Sequence, residues 1–144
     1  MKLEWIYDQS EVINWEHLSE LYLIAPLGEK PAESLKVVFA NSMFKCFVYD
    51  GHACVGVGRA LADGMDCSYI CDVAVHPEYQ GLKIGKSIIE KLIALSQGHN
   101  KIILYANPGK EGFYSKLGFS KMNTAMAIFH DKKYAIDVGL IAET

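Results

Sequence analysis

The residues best suited to chemistry lie between Gln80 and Lys86, where Gly81, Leu82, Lys83, Ile84 and Gly85 join an apolar strand pattern to an amphipathic helix pattern. A turn of this composition opens a helix with backbone N–H groups that have no partner in the chain, and such groups bind anions, phosphates above all. Two nucleotide motifs fail on spacing. A P-loop has four residues between its first glycine and Gly-Lys-Ser/Thr, whereas Gly81-Leu82-Lys83-Ile84-Gly85-Lys86-Ser87 has three. The dinucleotide fingerprint G-x-G-x-x-G is absent here and in Val55-Gly56-Val57-Gly58. On these residues alone, a tight turn that simply needs small side chains stays open. Asp72 is the second point of interest: a carboxylate between Cys71 and Val73 in a strand pattern serves chemistry or a specific partner better than packing. His76, before Pro77, reads as a surface residue. The four cysteines, Cys46, Cys54, Cys67 and Cys71, form no C-x-x-C and have no histidine pair nearby, so free thiols in a reducing compartment are expected and no metal site.

The elements that would position these residues follow from periodicity. Leu18, Leu21, Tyr22 and Ile24 after Asn14 predict a helix over 14–24, ending before Pro26. A loop follows, then a second helix after Pro31 with Leu35, Val38 and Phe39 on one side. Phe44–Asp50 reads as a strand closed by the Asp50-Gly51 turn, and its partner from Ala53 carries Gly56 and Gly58, which mark a bulge or a close backbone approach. The stretch Cys67–Val75 is β-rich on both faces, the pattern of a central strand covered on both sides, and stops at Pro77. Ile84, Ile88, Leu92 and Leu95 make the clearest amphipathic helix, ending at Gly98. A buried strand over 101–106 is expected, then a helix that Asn107 caps with Pro108 in its first position and Gly118 ends. Residues 119–122 and 124–129 read as two closing strands; from His130 onward no pattern assigns the chain. This order predicts a mixed α+β, three-layer α/β domain whose functional turn lies where the central strand meets the helix near Gly85.

Gln80–Lys86 after a strand, together with Asn107, Tyr114, Gly118 and Phe119 in a segment starting 27 residues after Gln80, resembles the GNAT superfamily of N-acetyltransferases. The resemblance implies a central mixed sheet of six to seven strands flanked by about four helices, and acetyl-CoA as cosubstrate with no metal. In that family a Q/R-x-x-G-x-G/A turn holds the coenzyme A diphosphate, matched here by Gln80 and Gly85, with Lys83 standing where the family has its first glycine. The downstream Asn…Tyr-x-x-x-Gly-Phe element closes the site, with Lys110 in place of a small residue. The strand before the turn pairs with the pantetheine arm. Carried over position by position, the implied coenzyme contacts are Val73, Ala74, Val75, Gln80, Gly81, Leu82, Lys83, Ile84, Gly85, Lys86, Asn107, Lys110 and Tyr114.

Acetyl transfer from a thioester to an amine needs a neutral nucleophile, donors for the acetyl oxygen, and a proton for the departing thiolate. An alkyl amine has a pKa of about 10.4, so a base or a desolvating pocket must remove its proton. N–H groups of a splayed strand around Val73 to Val75 would serve the acetyl oxygen. By the resemblance Tyr114 is the acid for the thiolate. Asp72 is the candidate base, or else it caps a neighbouring loop or anchors the substrate ammonium without proton transfer.

Composition bounds the rest. With 144 residues, 51% hydrophobic and 22% charged, the chain fits one domain over 1–144 and neither a disordered nor a collagen-like class. The longest apolar run is five residues, as in Leu21 to Ala25, so no transmembrane helix is expected, and the first residues lack a signal peptide's apolar core. A cytosolic protein is therefore expected. The formal charge of −3 argues against a sequence-independent nucleic-acid partner. It is unevenly spread: residues 1–34 hold two lysines against seven acids, and residues 80–121 hold seven lysines against two glutamates. An anionic ligand suits the second half, and a neutral or cationic one the first. The reading is an N-acetyltransferase acting on a primary amine of a small molecule, compatible with a homodimer; the alternative is a non-catalytic acyl-CoA-binding or sensing module.

Overall fold

A computed structural model describes residues 2–8 and 12–143. The chain divides into two units, 1–104 and 105–144. In the first unit five strands form one sheet in sequence order: β1 (Leu3–Ile6), β2 (Phe44–Asp50), β3 (Ala53–Ala62), β4 (Cys67–Val75) and β5 (Lys101–Ile103). The first four are antiparallel in sequence and β5 runs parallel to β4. β1 was not foreseen. Its four residues, split by the charged Glu4, are too short to show alternation, and only pairing with β2 makes them a strand.

Helices cover the two faces of the sheet. On one, α1 (Trp15–Ile24) and α2 (Ala32–Ala40) bury Leu18, Tyr22, Leu35 and Phe39 against Phe47, Val57 and Ala74. Asn14 caps α1 as expected, its Oδ1 accepting the His17 N–H at 3.1 Å. On the other face, α3 (Ile84–Leu95) buries Ile84, Ile88, Ile89 and Leu92. The glycines of β3 set how closely α3 packs. A Cβ on Gly58 would lie 2.8 Å from Ile88 Cγ2, and one on Gly56 would lie 3.0 Å from Ile84 Cγ2. Both features read from Gly56 and Gly58 are present, since β3 also carries an extra residue at Val55, where its register with β2 shifts.

Among the described residues the sheet has five strands, not six to seven. Residues 119–122 and 124–129 are irregular, with Met126 and Ile128 fully exposed, because alternating apolar residues become a strand only beside an edge that pairs with them. The strand expected over 101–106 shortens to β5, whose residues are half-buried or exposed. The second unit holds α4 (Glu111–Ser115) and α5 (Lys132–Asp137), so there are five α-helices among the described residues rather than about four. α5, in the segment the sequence left unassigned, is capped by Asp131 and closed by Gly139 at φ +82 in a Schellman turn, with Leu140 N–H on the Ala135 carbonyl at 2.9 Å.

All four cysteines are free, and Cys46 is buried. Burial pushes the thiols of Cys46 and Cys54 up to about 12. The fold therefore favours the protonated thiol, while the unfolded chain ionises from about pH 8.5. The stability these thiols contribute is complete below about pH 8.5 and is lost as the pH rises towards 12, at up to about 1.4 kcal/mol per pH unit for each thiol. Urea titrations at pH 7.5, 9 and 10 should show a falling midpoint; a constant midpoint would contradict the burial of these thiols.

Candidate active site

β4 ends at Val75, and the chain turns through a 3-10 segment, Pro77–Tyr79, that His76 caps by accepting the Glu78 N–H on Nδ1 at 3.1 Å. The turn into α3 needs two left-handed residues, Gly81 at φ +88 and Lys83 at φ +63. Ile84, 3% exposed, pins the far side of the turn into the core. The first bond of α3 runs from the Ser87 N–H to the Lys83 carbonyl at 3.0 Å, so the N–H groups of Ile84, Gly85 and Lys86 come before it and have no intrahelical acceptor. No acid sits in that first turn, whereas Lys86 does. A cation there opposes the helix dipole and is better matched by a bound anion. Gln80 reaches back to the Val75 carbonyl at 3.4 Å.

Lys83 occupies a conformation that costs a non-glycine residue roughly 1 kcal/mol. Lys83→Gly should therefore raise stability by up to about 1 kcal/mol, less what glycine adds to the freedom of the unfolded chain, while removing a cation from the turn. Thermal melting together with calorimetry of coenzyme A binding checks both halves; a lower melting temperature would refute the strain.

β4 itself is irregular. Val57 faces Ala74, but Arg59 faces Cys71, so Asp72 and Val73 together oppose Gly58 in a bulge. The extra residue exchanges the strand's faces. Ser68 Oγ lies 2.8 Å from Ser96 Oγ at the end of α3, and Val75 borders Gly85 near its start, although one position is even and the other odd. β4 shares its last rung with β5 at Tyr69 and Ile103. From Ile70 to Val75 that edge has no partner strand among the described residues, the kind of edge an extended ligand can pair with, although the Asp72 carbonyl is taken by the Tyr22 hydroxyl and the Val75 carbonyl by Gln80.

Asp72 sits in the bulge at φ +56 with its charge already matched. Arg59 Nε donates to Oδ2 at 2.8 Å, and Lys30 Nζ stands 3.4 Å from Oδ1. The fully buried Tyr22 donates its hydroxyl to the Asp72 carbonyl at 2.7 Å. Arg59 Nη1 also reaches Ser42 Oγ at 3.2 Å, and that hydroxyl donates to the Val38 carbonyl at 2.7 Å. Of the roles read from sequence for Asp72, base, ammonium anchor or partner of a neighbouring loop, the pairing with Lys30 and Arg59 is nearest to the last. None of Arg59, Lys30, Tyr22 or Ser42 was singled out from sequence. One signal was there, since Arg59 is the only arginine in the chain and lies in a strand pattern between Gly58 and Ala60.

In the second unit Asn107 does not cap a helix, which corrects the expectation. Asn107-Pro108-Gly109-Lys110 is a β-turn with proline second and Gly109 at φ +92, closed by Lys110 N–H on the Asn107 carbonyl at 3.0 Å. That is type II turn chemistry, and it delays α4 to Glu111, with Lys110 at its N-cap. Asn107 and Lys110 are exposed. Gly118, at φ +100, ends α4 as expected: the Phe119 N–H returns to the Tyr114 carbonyl at 3.1 Å, and the Gly118 N–H to Ser115 at 3.1 Å. This Schellman turn explains the Tyr-x-x-x-Gly-Phe spacing, because it brings Phe119 back onto the Tyr114 ring, 6.0 Å between centroids. Tyr114 is half-buried, and desolvation raises its hydroxyl above the ordinary tyrosine value, so it stays protonated at neutral pH.

A sheet whose fourth strand bulges and leaves an edge without a partner strand beside a helix turn with free N–H groups is an arrangement suited to an acyl-transferring enzyme. The model of the acetyltransferase (GNAT) family matches residues 4–119, and the chain belongs to that family. The uncharacterized N-acetyltransferase ycf52 of Pyropia yezoensis is 34% identical over 115 residues, 76% of this chain and 66% of that protein. Serotonin N-acetyltransferase 2, chloroplastic, of Oryza sativa subsp. japonica is 41% identical over 68 residues, 46% of this chain and 34% of its own length. The chain thus spans from a third to two thirds of these relatives. In fold it is similar to the GNAT family acetyltransferase SP0256 of Streptococcus pneumoniae, with a TM-score of 0.73, 23% identity and coverage of 90% of this chain and 99% of that one.

Proposed function

We propose that the protein is an acetyl-CoA-dependent N-acetyltransferase acting on a primary amine of a small molecule by direct attack, with residues 1–144 working as one domain. The observation that carries this is the open edge of β4 next to the unpaired N–H groups of Ile84, Gly85 and Lys86, within a chain of the GNAT family. That the family match, over residues 4–119, runs from the first unit into the second supports the single domain. Bound acetyl-CoA supplies an activated acetyl group. The chain's own parts fit it. The α3 turn holds the diphosphate through those N–H groups, with Gln80, Gly81, Leu82, Lys83 and Lys86 around it. The edge at Val73, Ala74 and Val75 orients the pantetheine arm and offers N–H donors to the acetyl oxygen. Asn107 and Lys110 add contacts on the coenzyme; the amine attacks in its neutral form and releases its N–H proton to solvent as the amide forms, and Tyr114 gives the proton that the departing thiolate takes. Among the described residues no cluster of His, Cys, Asp or Glu is placed to hold a metal, and none of these roles requires one. The cytosolic placement belongs to the same proposal; among the described residues no helix is long and apolar enough to cross a membrane.

Release of free thiol from acetyl-CoA across a panel of small amines, amino-acid-like amines and lysine peptides tests the reading. Turnover with a small amine is the expected result. Tight coenzyme A binding with no turnover on any amine would instead establish the sensing module.

A further inference from the structure

The bulge in β4 is held by contacts from three other segments. Asp72, in a left-handed conformation, receives the Tyr22 hydroxyl on its carbonyl at 2.7 Å, Arg59 Nε on Oδ2 at 2.8 Å, and Lys30 Nζ near Oδ1 at 3.4 Å. Tyr22 comes from α1, Lys30 from the loop after it, Arg59 from β3 and Asp72 from β4. Ser42, just beyond α2, braces the guanidinium from its other side at 3.2 Å. Lys30 is fixed in turn: its carbonyl accepts the Ser19 hydroxyl at 2.6 Å, and its Nζ stands 5.5 Å from the Tyr22 ring centroid.

Such a cluster is a costly way to gain stability. Part-buried ion pairs roughly break even against apolar packing, and their better-attested use is to select one geometry. Here the selected geometry is local, because all three groups act on a single residue, the one inserted into the strand. An aspartate tolerates the left-handed region, but an unclamped strand would gain by expelling the extra residue and restoring the ladder. The bulge decides which backbone groups of Val73 to Val75 present themselves at the open edge.

We propose that Asp72 is a positioning residue rather than a base: with Arg59 and Tyr22 it clamps the β4 bulge and thereby aims the edge at Val73 to Val75 toward the acetyl group. This rests on the acetyltransferase reading above for its effect on turnover, but not for its effect on the strand. Displacing a reacting group by about 1 Å costs about 10²-fold in rate.

The test is a series at Asp72 and Tyr22 in the full chain. Asp72→Gly adopts the positive φ freely but loses the carboxylate, so kcat should fall about 10²-fold and KM for acetyl-CoA should change little, while the melting temperature falls because Arg59 is left part-buried without its partner. Asp72→Asn keeps an acceptor for Arg59 and a tolerance for the left-handed region, so kcat should fall by less than about tenfold with the pH profile of kcat/KM in place. Tyr22→Phe, which leaves the carboxylate intact, should resemble Asp72→Gly in kcat. A base role predicts the reverse order: Asp72→Asn as damaging as Asp72→Gly, the limb of the pH profile that reports the base gone, and Tyr22→Phe near parental. That result overturns the proposal. If the parent turns over no amine, the amide shifts of Val73 and Ala74 decide: displaced in Asp72→Gly and Tyr22→Phe but not in Asp72→Asn supports the clamp, and parental in all three overturns it.

Discussion

Tyr114→Phe should lower kcat by about 10²- to 10⁴-fold, the usual worth of a positioned general acid, while leaving stability and coenzyme A affinity near the parent's. The substitution removes one oxygen and keeps the ring. The contacts of that ring with Phe113 and Phe119, at centroid distances of 5.1 and 6.0 Å, are therefore retained, as is the backbone turn closed on the Tyr114 carbonyl. The loss falls on kcat because the hydroxyl acts only as the carbon–sulfur bond breaks. Desolvation raises the Tyr114 hydroxyl, so the parent keeps its acid through neutral and mildly alkaline pH. A thiolate leaves unaided near its own pKa of about 8.5, so the variant's defect should shrink above that pH. Steady-state kinetics from pH 6.5 to 9.5, with an accepted amine and a rate-limiting chemical step, measure this. A variant with parental kcat at neutral pH would leave Tyr114 as a wall of the site and no more.

Gly85→Asp should abolish most coenzyme A affinity without harming the fold. A Cβ at this position would meet Val75 Cγ2 at 3.5 Å, an ordinary contact, and Gly85 has no positive φ to preserve. The helix therefore tolerates a side chain, and a carboxylate in the first turn suits the dipole, which favours the unliganded protein. Toward a bound diphosphate the same carboxylate is a like charge. At about 5 Å and an effective dielectric near 20 that costs roughly 3 kcal/mol, or about 10²-fold in Kd. Loss of Lys83 or Lys86 singly should cost only about 0.3 to 1 kcal/mol. Gly85→Ala separates shape from charge, since it adds only the methyl and should hold or raise the melting temperature. Calorimetry showing Gly85→Asp binding as tightly as the parent would move the coenzyme away from the α3 turn.

Much of the scaffold was legible because it depends on local pattern. The 3.6-residue period of Ile84, Ile88 and Leu92 marks α3, Asn14 marks the start of α1, and the two-sided apolar run marks β4, each where the structure has it. Gly118, read as a helix end, closes the turn after α4 in a left-handed conformation that a bulky side chain disfavours. Local rules misled where two of them competed. Asn107-Pro108 is both a good helix start and the first half of a type II turn, and Gly109, at φ +92, decides for the turn. They misled also at residues 124–129, whose alternation has strand character but which pair with no strand among the described residues.

The sequence by itself determined the family, the glycine-bearing turn from Gln80 to Lys86 and most of the succession of elements around it, because glycine spacing, capping and periodicity act within a few residues of chain. Only the tertiary structure decided what Asp72 touches. One residue inserted into β4 exchanges the faces of the strand. It brings Asp72 to Arg59, 13 positions away, and its carbonyl to Tyr22, 50 positions away. Register and long-range pairing of this kind follow from how strands and helices pack in three dimensions, and no local pattern along the chain encodes them.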